Sequence, residues 1–114
     1  MTRIENTDWK VFADRFSKEF DGWSASLQLR ESNGSIETAI DDRPFRGLTF
    51  EHRGTHDALI LTFGDDPDEH LAHIVEQPSE VSVLAEEPGL CSLIIGLADQ
   101  SGCVLELASP FNTD

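Results

Sequence analysis

Large apolar residues recur at helical spacing near the start of the chain. Together with one alanine, they fall three or four positions apart, with charged or polar residues between them: Trp9, Phe12, Ala13, Phe16 and Phe20. The pattern predicts an amphipathic helix over about residues 8–21. We expect Thr7 to be its N-cap and Gly22 to end it in the left-handed conformation.

The apolar period changes from helical to alternating at Trp23, and alternation is typical of half-buried strands. Asn33-Gly34 predicts a tight hairpin turn, because this pair readily takes positive φ angles. Asp42-Arg43-Pro44 is expected to end the next strand, since proline supplies no N–H to a ladder. The predicted strands cover about residues 23–30, 36–40, 48–52, 58–63, 71–76, 81–85, 91–98 and 103–108.

Short loops between successive strands favour antiparallel neighbours, because a parallel crossover needs a dozen or more residues. We therefore predict a single α+β domain over residues 1–114, with the helix packed on an antiparallel meander of about seven or eight short strands, over about residues 23–109. One helix covers only one face of a sheet, so we expect the sheet to curl around it or toward a half-open barrel. Residues 110–114 are predicted to be a frayed tail.

The chain is strongly acidic, with eight Lys and Arg against 22 Asp and Glu and a formal net charge of −14. This charge disfavours direct binding to nucleic acid, where affinity comes largely from Lys and Arg. Three interpretations stay open: solubility, adaptation to a salty cytoplasm, and attraction of a basic partner. No apolar run reaches the length of a membrane span and no leader is visible, so we expect a cytoplasmic protein that does not bind membranes.

Titratable residues concentrate between the predicted fourth and fifth strands, whereas no known catalytic signature occurs anywhere in the chain. Carboxylates and imidazoles are ligands for divalent metals, which makes this segment a metal-site candidate: Asp65, Asp66, Asp68, Glu69, His70 and His73. On a strand, however, His70 and His73 would point to opposite faces. His52 and His73 are in phase with apolar neighbours, so His52, His70 and His73 are candidate ligand-binding residues.

The two cysteines have neither metal-ligand spacing nor a CxxC arrangement, which favours small buried side chains. If residues 99–102 close the last hairpin, Ala98 lies opposite Cys103, and Cys91 lies about 23 Å away along the sheet. A disulfide needs Cα atoms within about 7 Å, so we predict two free thiols.

Several segments taken in order resemble a bacterial family of small uncharacterised proteins that is defined only as a domain of unknown function. The resemblance is carried by the helix motif that ends in Gly22-Trp23, and by Pro44 with Gly47, His70-Leu71-Ala72-His73-Ile74, Pro78, Val81, Ala98-Asp99, Gly102 and Ser109-Pro110. It covers nearly the whole chain and implies no activity, cofactor or catalytic residue. The His-x-x-His segment is similar to a recurrent feature of that family.

The sequence favours a non-catalytic binding or interaction module without a cofactor, whose partner is an unknown protein or small ligand. One alternative is a metal- or ligand-binding protein, with or without enzymatic activity, that uses His70 and His73. Another is an acidic mimic of nucleic acid that occupies a basic partner.

Overall fold

The structure, a computed structural model, describes residues 1–65, 70–85 and 87–110. The strands in these ranges form an eight-stranded antiparallel sheet in the order β1-β6-β7-β8-β2-β3-β4-β5. Among the described residues, no helix is long and apolar enough to cross a membrane. The elements are β1 (Thr2–Ile4), a 3₁₀ turn (Asn6–Asp8), α1 (Trp9–Phe20), β2 (Ser24–Arg30), β3 (Ile36–Arg53), β4 (His56–Phe63), β5 (Leu71–Glu76), β6 (Glu80–Leu84), β7 (Leu90–Gly96) and β8 (Gly102–Ala108).

The long strand β3 replaces two predicted strands, so the expected break at Pro44 is wrong. The strand continues through Pro44, with a left-handed φ of 52° at Asp42, and the register with β2 slips nearby, from Ala25 opposite Arg43 to Leu27 opposite Ile40. A bulge of this kind bends a strand instead of ending it. The first half of β3 therefore pairs with β2 and the second half with β4.

The sheet is strongly curled but is not closed into a barrel. Only three residues, 77–79, connect β5 at one edge of the sheet to β6, which lies next to the other edge. A connection of this length spans at most about 14 Å, so the two ends of the sheet must approach each other. Within the described ranges β5 pairs with β4 alone, which leaves its outer edge open. The predicted α+β fold with a curled antiparallel sheet is confirmed.

Helix α1 packs its aromatic face against the curled sheet, as predicted. Trp9, Phe16 and Phe20 are buried, and the Phe16 ring lies 5.6 Å from the Phe45 ring of β3. The Ser17 hydroxyl accepts a hydrogen bond from the backbone N–H of Leu48 at 2.8 Å, which adds a polar link between α1 and β3.

Of the two predicted ends of α1, the C-terminal one is confirmed and the N-terminal one is wrong. Gly22 has a φ of 87°, and the N–H of Trp23 donates to the Phe20 carbonyl at 3.0 Å, which confirms the left-handed termination. Thr7 is not the N-cap, because a 3₁₀ turn precedes the helix and Asp8 occupies that position without a side-chain cap. The indole N–H of Trp9 instead donates to the Ile4 carbonyl at 3.0 Å, which ties β1 to the start of the helix.

The last hairpin has a different register from the predicted one. Gly96 lies opposite Gly102 and Ile95 opposite Cys103, so the loop is 97–101 and Gly102 belongs to β8. The prediction placed Gly102 in the loop. The left-handed position is instead occupied by Gln100, with a φ of 71°.

Candidate functional site

An open cleft of about 440 Å³ lies where β5 approaches the tips of two hairpins. The β2–β3 hairpin forms one wall, the β7–β8 hairpin forms another, and His73 of β5 contributes from the opposite side. We call this space the hairpin cleft. Its lining comprises Leu29, Arg30, Glu31, Ser32, Glu37, His73, Leu97, Asp99, Ser101 and Gly102.

The two hairpin loops that wall the cleft share one backbone geometry. In the first, Glu31 N–H donates to Ser35 O at 2.9 Å and Gly34 N–H donates to Glu31 O at 2.9 Å. In the second, Leu97 N–H donates to Ser101 O at 2.8 Å and Gln100 N–H donates to Leu97 O at 3.1 Å. In each loop three residues lie between the two that this first hydrogen bond joins, and the third of them is left-handed. The predicted Asn33-Gly34 hairpin is therefore confirmed, although only Gly34 has a positive φ angle.

Side-chain oxygens stabilise both loops in the same way. Asn33 Oδ1 accepts the Ser35 N–H at 2.9 Å, and Asp99 Oδ1 accepts the Ser101 N–H at 3.0 Å. The Ser101 hydroxyl also donates to Asp99. These hydrogen bonds from Ser101 lower the pKa of the Asp99 carboxyl group, which therefore stays ionised at neutral pH.

His73 is the sequence candidate that the structure places in the cleft. It pairs with Leu61 of β4, so its side chain lies on the same face of the sheet as the core, as its apolar phase predicted. The residue is half-buried, and desolvation lowers the pKa of its imidazole below the ordinary value of 6.5. His73 is therefore neutral at neutral pH.

The charge of the cleft is negative. Glu31, Glu37 and Asp99 supply three carboxylates, whereas Arg30 supplies the one cation among the described lining residues. Arg30 and these three carboxylates are exposed at the rim, while Leu29 and Leu97 are partly buried and pack against the core. The cleft therefore combines an acidic rim with an apolar floor, which suits a cationic group carried on an aliphatic stem.

His52 lies away from the hairpin cleft. It is at the end of β3 opposite Asp57, and its Nδ1 is 2.7 Å from Asp57 Oδ1. Asp57 and Leu61, the β4 partner of His73, are about 13 Å apart along the strand. The side chain of His52 is 69% exposed, so the structure does not bring His52 and His73 into one cavity.

A charged network that the sequence analysis missed lies on the outer face of the sheet. His56 Nε2 is 2.6 Å from a carboxylate oxygen of Glu76 on β5, and Arg53 bonds both Glu51 and Glu76. The hairpin between β3 and β4 places Arg53 opposite His56, and this group covers the buried Ala58. In the sequence, Arg53-Gly54-Thr55-His56 indicates only a turn, so the bonds from Arg53 and His56 to Glu76 were not predicted.

The metal-site candidates are only partly described. His70 is exposed one residue before β5, so strand alternation does not fix the side to which it points, and Asp65 is exposed after β4. Asp66, Asp68 and Glu69 lie outside the described residues. Among the residues that are described, no group of three or more His, Cys, Asp or Glu side chains is arranged to hold a metal ion.

Both cysteines are free and buried, which confirms the prediction of two thiols. Cys91 lies opposite Leu107 and Cys103 opposite Ile95, so the observed register separates them by about 13 Å rather than 23 Å. Burial raises the pKa of Cys103 to about 12. Desolvation and the nearby Glu19 carboxylate raise the pKa of Cys91. Neither thiol is activated as a nucleophile.

Comparison with known proteins gives a family without an assigned activity. The model of a family of unknown function, DUF5335, matches residues 1–114. No curated protein and no solved structure matches the chain. Because the family model covers every residue of the sequence, the chain belongs to this family of unknown function.

Proposed function

We propose that this chain is a non-catalytic interaction module that takes a basic group of a partner into the hairpin cleft. The observation that carries the proposal is the cleft itself, where the acidic rim formed by Glu31, Glu37 and Asp99 stands above an apolar floor. A lysine or arginine side chain matches both features, since its charged end follows an aliphatic stem. The net charge of −14 would also speed the approach of a basic partner.

The state of His73 supports binding rather than catalysis. Its pKa is lowered, so at neutral pH it adds no positive charge that would repel a cation. Within the described ranges, no hydrogen bond or ion pair orients its imidazole, whereas a catalytic base is normally held by a third group. The two free cysteines are typical of a reducing compartment, which supports a cytoplasmic location.

Binding of a labelled oligolysine peptide, measured by fluorescence anisotropy, tests this proposal. Glu37→Gln removes a carboxylate from the cleft, and Glu106→Gln removes one from the exposed face of β8, outside the cleft. Both variants change the net charge equally. We expect Glu37→Gln to weaken binding about two- to fivefold, whereas Glu106→Gln leaves it unchanged.

Equal effects of the two substitutions would contradict the proposal, because they would indicate a diffuse attraction to total charge. Absence of binding at physiological ionic strength would also contradict it. A binding constant that falls with salt but keeps the difference between the two variants would support a local site.

A further inference from the structure

In the part of the chain that the structure describes, no strand pairs with the outer edge of β5, and the strand itself lacks the usual protection of an edge. The ladder between β5 and β4 runs from Leu71 to Glu76 without a register shift, so no bulge twists this edge away. The strand contains no lysine and no proline, and Glu76 is its one charged residue. Unprotected edges of this kind are templates for pairing with another chain.

The opposite edge of the sheet is protected. Strand β1 has only three residues, and Arg3 lies at its centre. Short length and a charged side chain are two devices by which proteins prevent unwanted strand pairing. The contrast makes β5, with its six residues, the better acceptor for an added strand.

Apolar side chains are exposed on both faces of β5. Ile74 is 44% exposed on the outer face, and Leu71 is 45% exposed on the face that carries His73. An added strand alternates its side chains between the same two faces. One set would lie beside Ile74, and the other would lie on the side of His73 and the hairpin cleft.

We propose that β5 accepts an extended segment of a partner protein as a ninth strand, with basic residues toward the hairpin cleft and apolar residues beside Ile74. This inference rests on the proposed function and deepens it by assigning the partner an extended conformation and an alternating basic and apolar pattern. Main-chain hydrogen bonds to β5 provide affinity, and the acidic cleft selects the side chains. A second copy of this chain is disfavoured as the occupant, because each copy carries a charge of −14.

A capped, labelled peptide of alternating lysine and valine, as long as β5, provides the probe. In a strand, residues that share a face also direct their N–H groups to the same side, so all lysine amides point one way and all valine amides the other. Two further peptides carry N-methyl groups, one on its lysine amides and one on its valine amides. Strand addition predicts that one of these loses binding about tenfold or more, while the other binds like the unmodified peptide.

Matched protein variants test the position of the added strand. Ile74→Lys places a cation on β5 beside the incoming peptide, whereas Leu90→Lys makes the same change at the 50% exposed first residue of β7. We expect Ile74→Lys to weaken peptide binding about tenfold and Leu90→Lys to have no effect.

The outcomes separate the two proposals. If both N-methylated peptides bind like the unmodified one, strand addition is wrong, while capture of lysine by the cleft stands. If none of the peptides binds and oligolysine also fails, both proposals are wrong. A homodimer that Ile74→Lys dissociates, seen by sedimentation, would overturn the inference by showing that a second copy occupies β5.

Discussion

The glycine pair next to the last hairpin loop gives a sharp test of the observed register. Gly96 and Gly102 lie opposite each other on β7 and β8. A Cβ atom added to Gly102 would lie 2.2 Å from the backbone oxygen of Ile95, whereas one added to Gly96 would first meet Glu80 Cγ at 3.3 Å. The first contact is with rigid backbone and the second with a flexible side chain.

The expected loss of stability follows from these distances. Non-bonded atoms attract at about 3.5 Å or beyond, so Gly102→Ala forces the two strands apart by about 1 Å. Overpacking costs about 1–3 kcal/mol, and a weakened ladder hydrogen bond adds about 1 kcal/mol. We expect Gly102→Ala to lower the free energy of unfolding by about 2–4 kcal/mol, and Gly96→Ala to change it by less than about 1 kcal/mol.

Urea denaturation followed by tryptophan fluorescence measures both variants, since Trp9 is buried in the core and Trp23 packs against it. An unchanged slope with a shifted midpoint would assign the difference to folded-state stability. Equal midpoints for Gly96→Ala and Gly102→Ala would contradict the pairing of Gly96 with Gly102. That result would place Gly102 in the loop, as in the register predicted from the sequence.

Four further predictions concern the core, the turns and the titratable groups. Phe16→Ala should lower the free energy of unfolding by about 3–5 kcal/mol, and an unchanged urea midpoint would show that the helix does not pack as described. Gln100 and Gly34 both have left-handed backbones, which glycine takes without strain and glutamine does not. Gln100→Gly should therefore raise the free energy of unfolding by about 1 kcal/mol, and Gly34→Gln should lower it by about 1 kcal/mol. A urea midpoint that moves in the opposite direction for either variant would contradict this. Iodoacetamide at mildly alkaline pH should leave the Cys103 thiol, with its pKa of about 12, unmodified until the protein unfolds, and rapid labelling of the native protein would contradict its burial. The imidazole of His73 should titrate by NMR below its ordinary pKa of 6.5. Because the unfolded chain binds this proton more readily than the folded protein, the free energy of unfolding should fall as the pH drops from about 6.5 through the folded-state pKa of His73. His73→Gln should lack this part of the pH dependence.

Sequence patterns predicted the elements that are determined by residues close together in the chain. The aromatic stripe of α1 and the glycine that follows it were visible because helix period and termination depend on neighbouring residues. Continuation of β3 through Pro44 was not visible, because it depends on the bulged pairing with β2. The register of the β7–β8 hairpin was also not predicted. Its left-handed position is taken by Gln100, whereas glycine is the residue that usually takes this conformation.

Of the residues that line the hairpin cleft, His73 is the one that the sequence predicted. The apolar phase of the fifth strand indicated that His73 faces inward, and the structure places it in the hairpin cleft. Arg30, Glu37 and Asp99 had no such signal, because the pairing of β2 with β8 is what places the β2–β3 hairpin next to the β7–β8 hairpin. His73, three strands away from β2, reaches them only through the curl of the sheet. That curl depends on the bend in β3 and on the short connection at 77–79.

An NMR titration of the labelled protein with the alternating lysine and valine peptide locates the bound peptide residue by residue. We expect chemical-shift changes to converge on His73 and on the two hairpin loops, 31–35 and 97–101, and to continue along β5. Changes spread over the whole acidic surface would contradict it, since they would indicate attraction to net charge without a site. Changes confined to a different part of the sheet would contradict it equally.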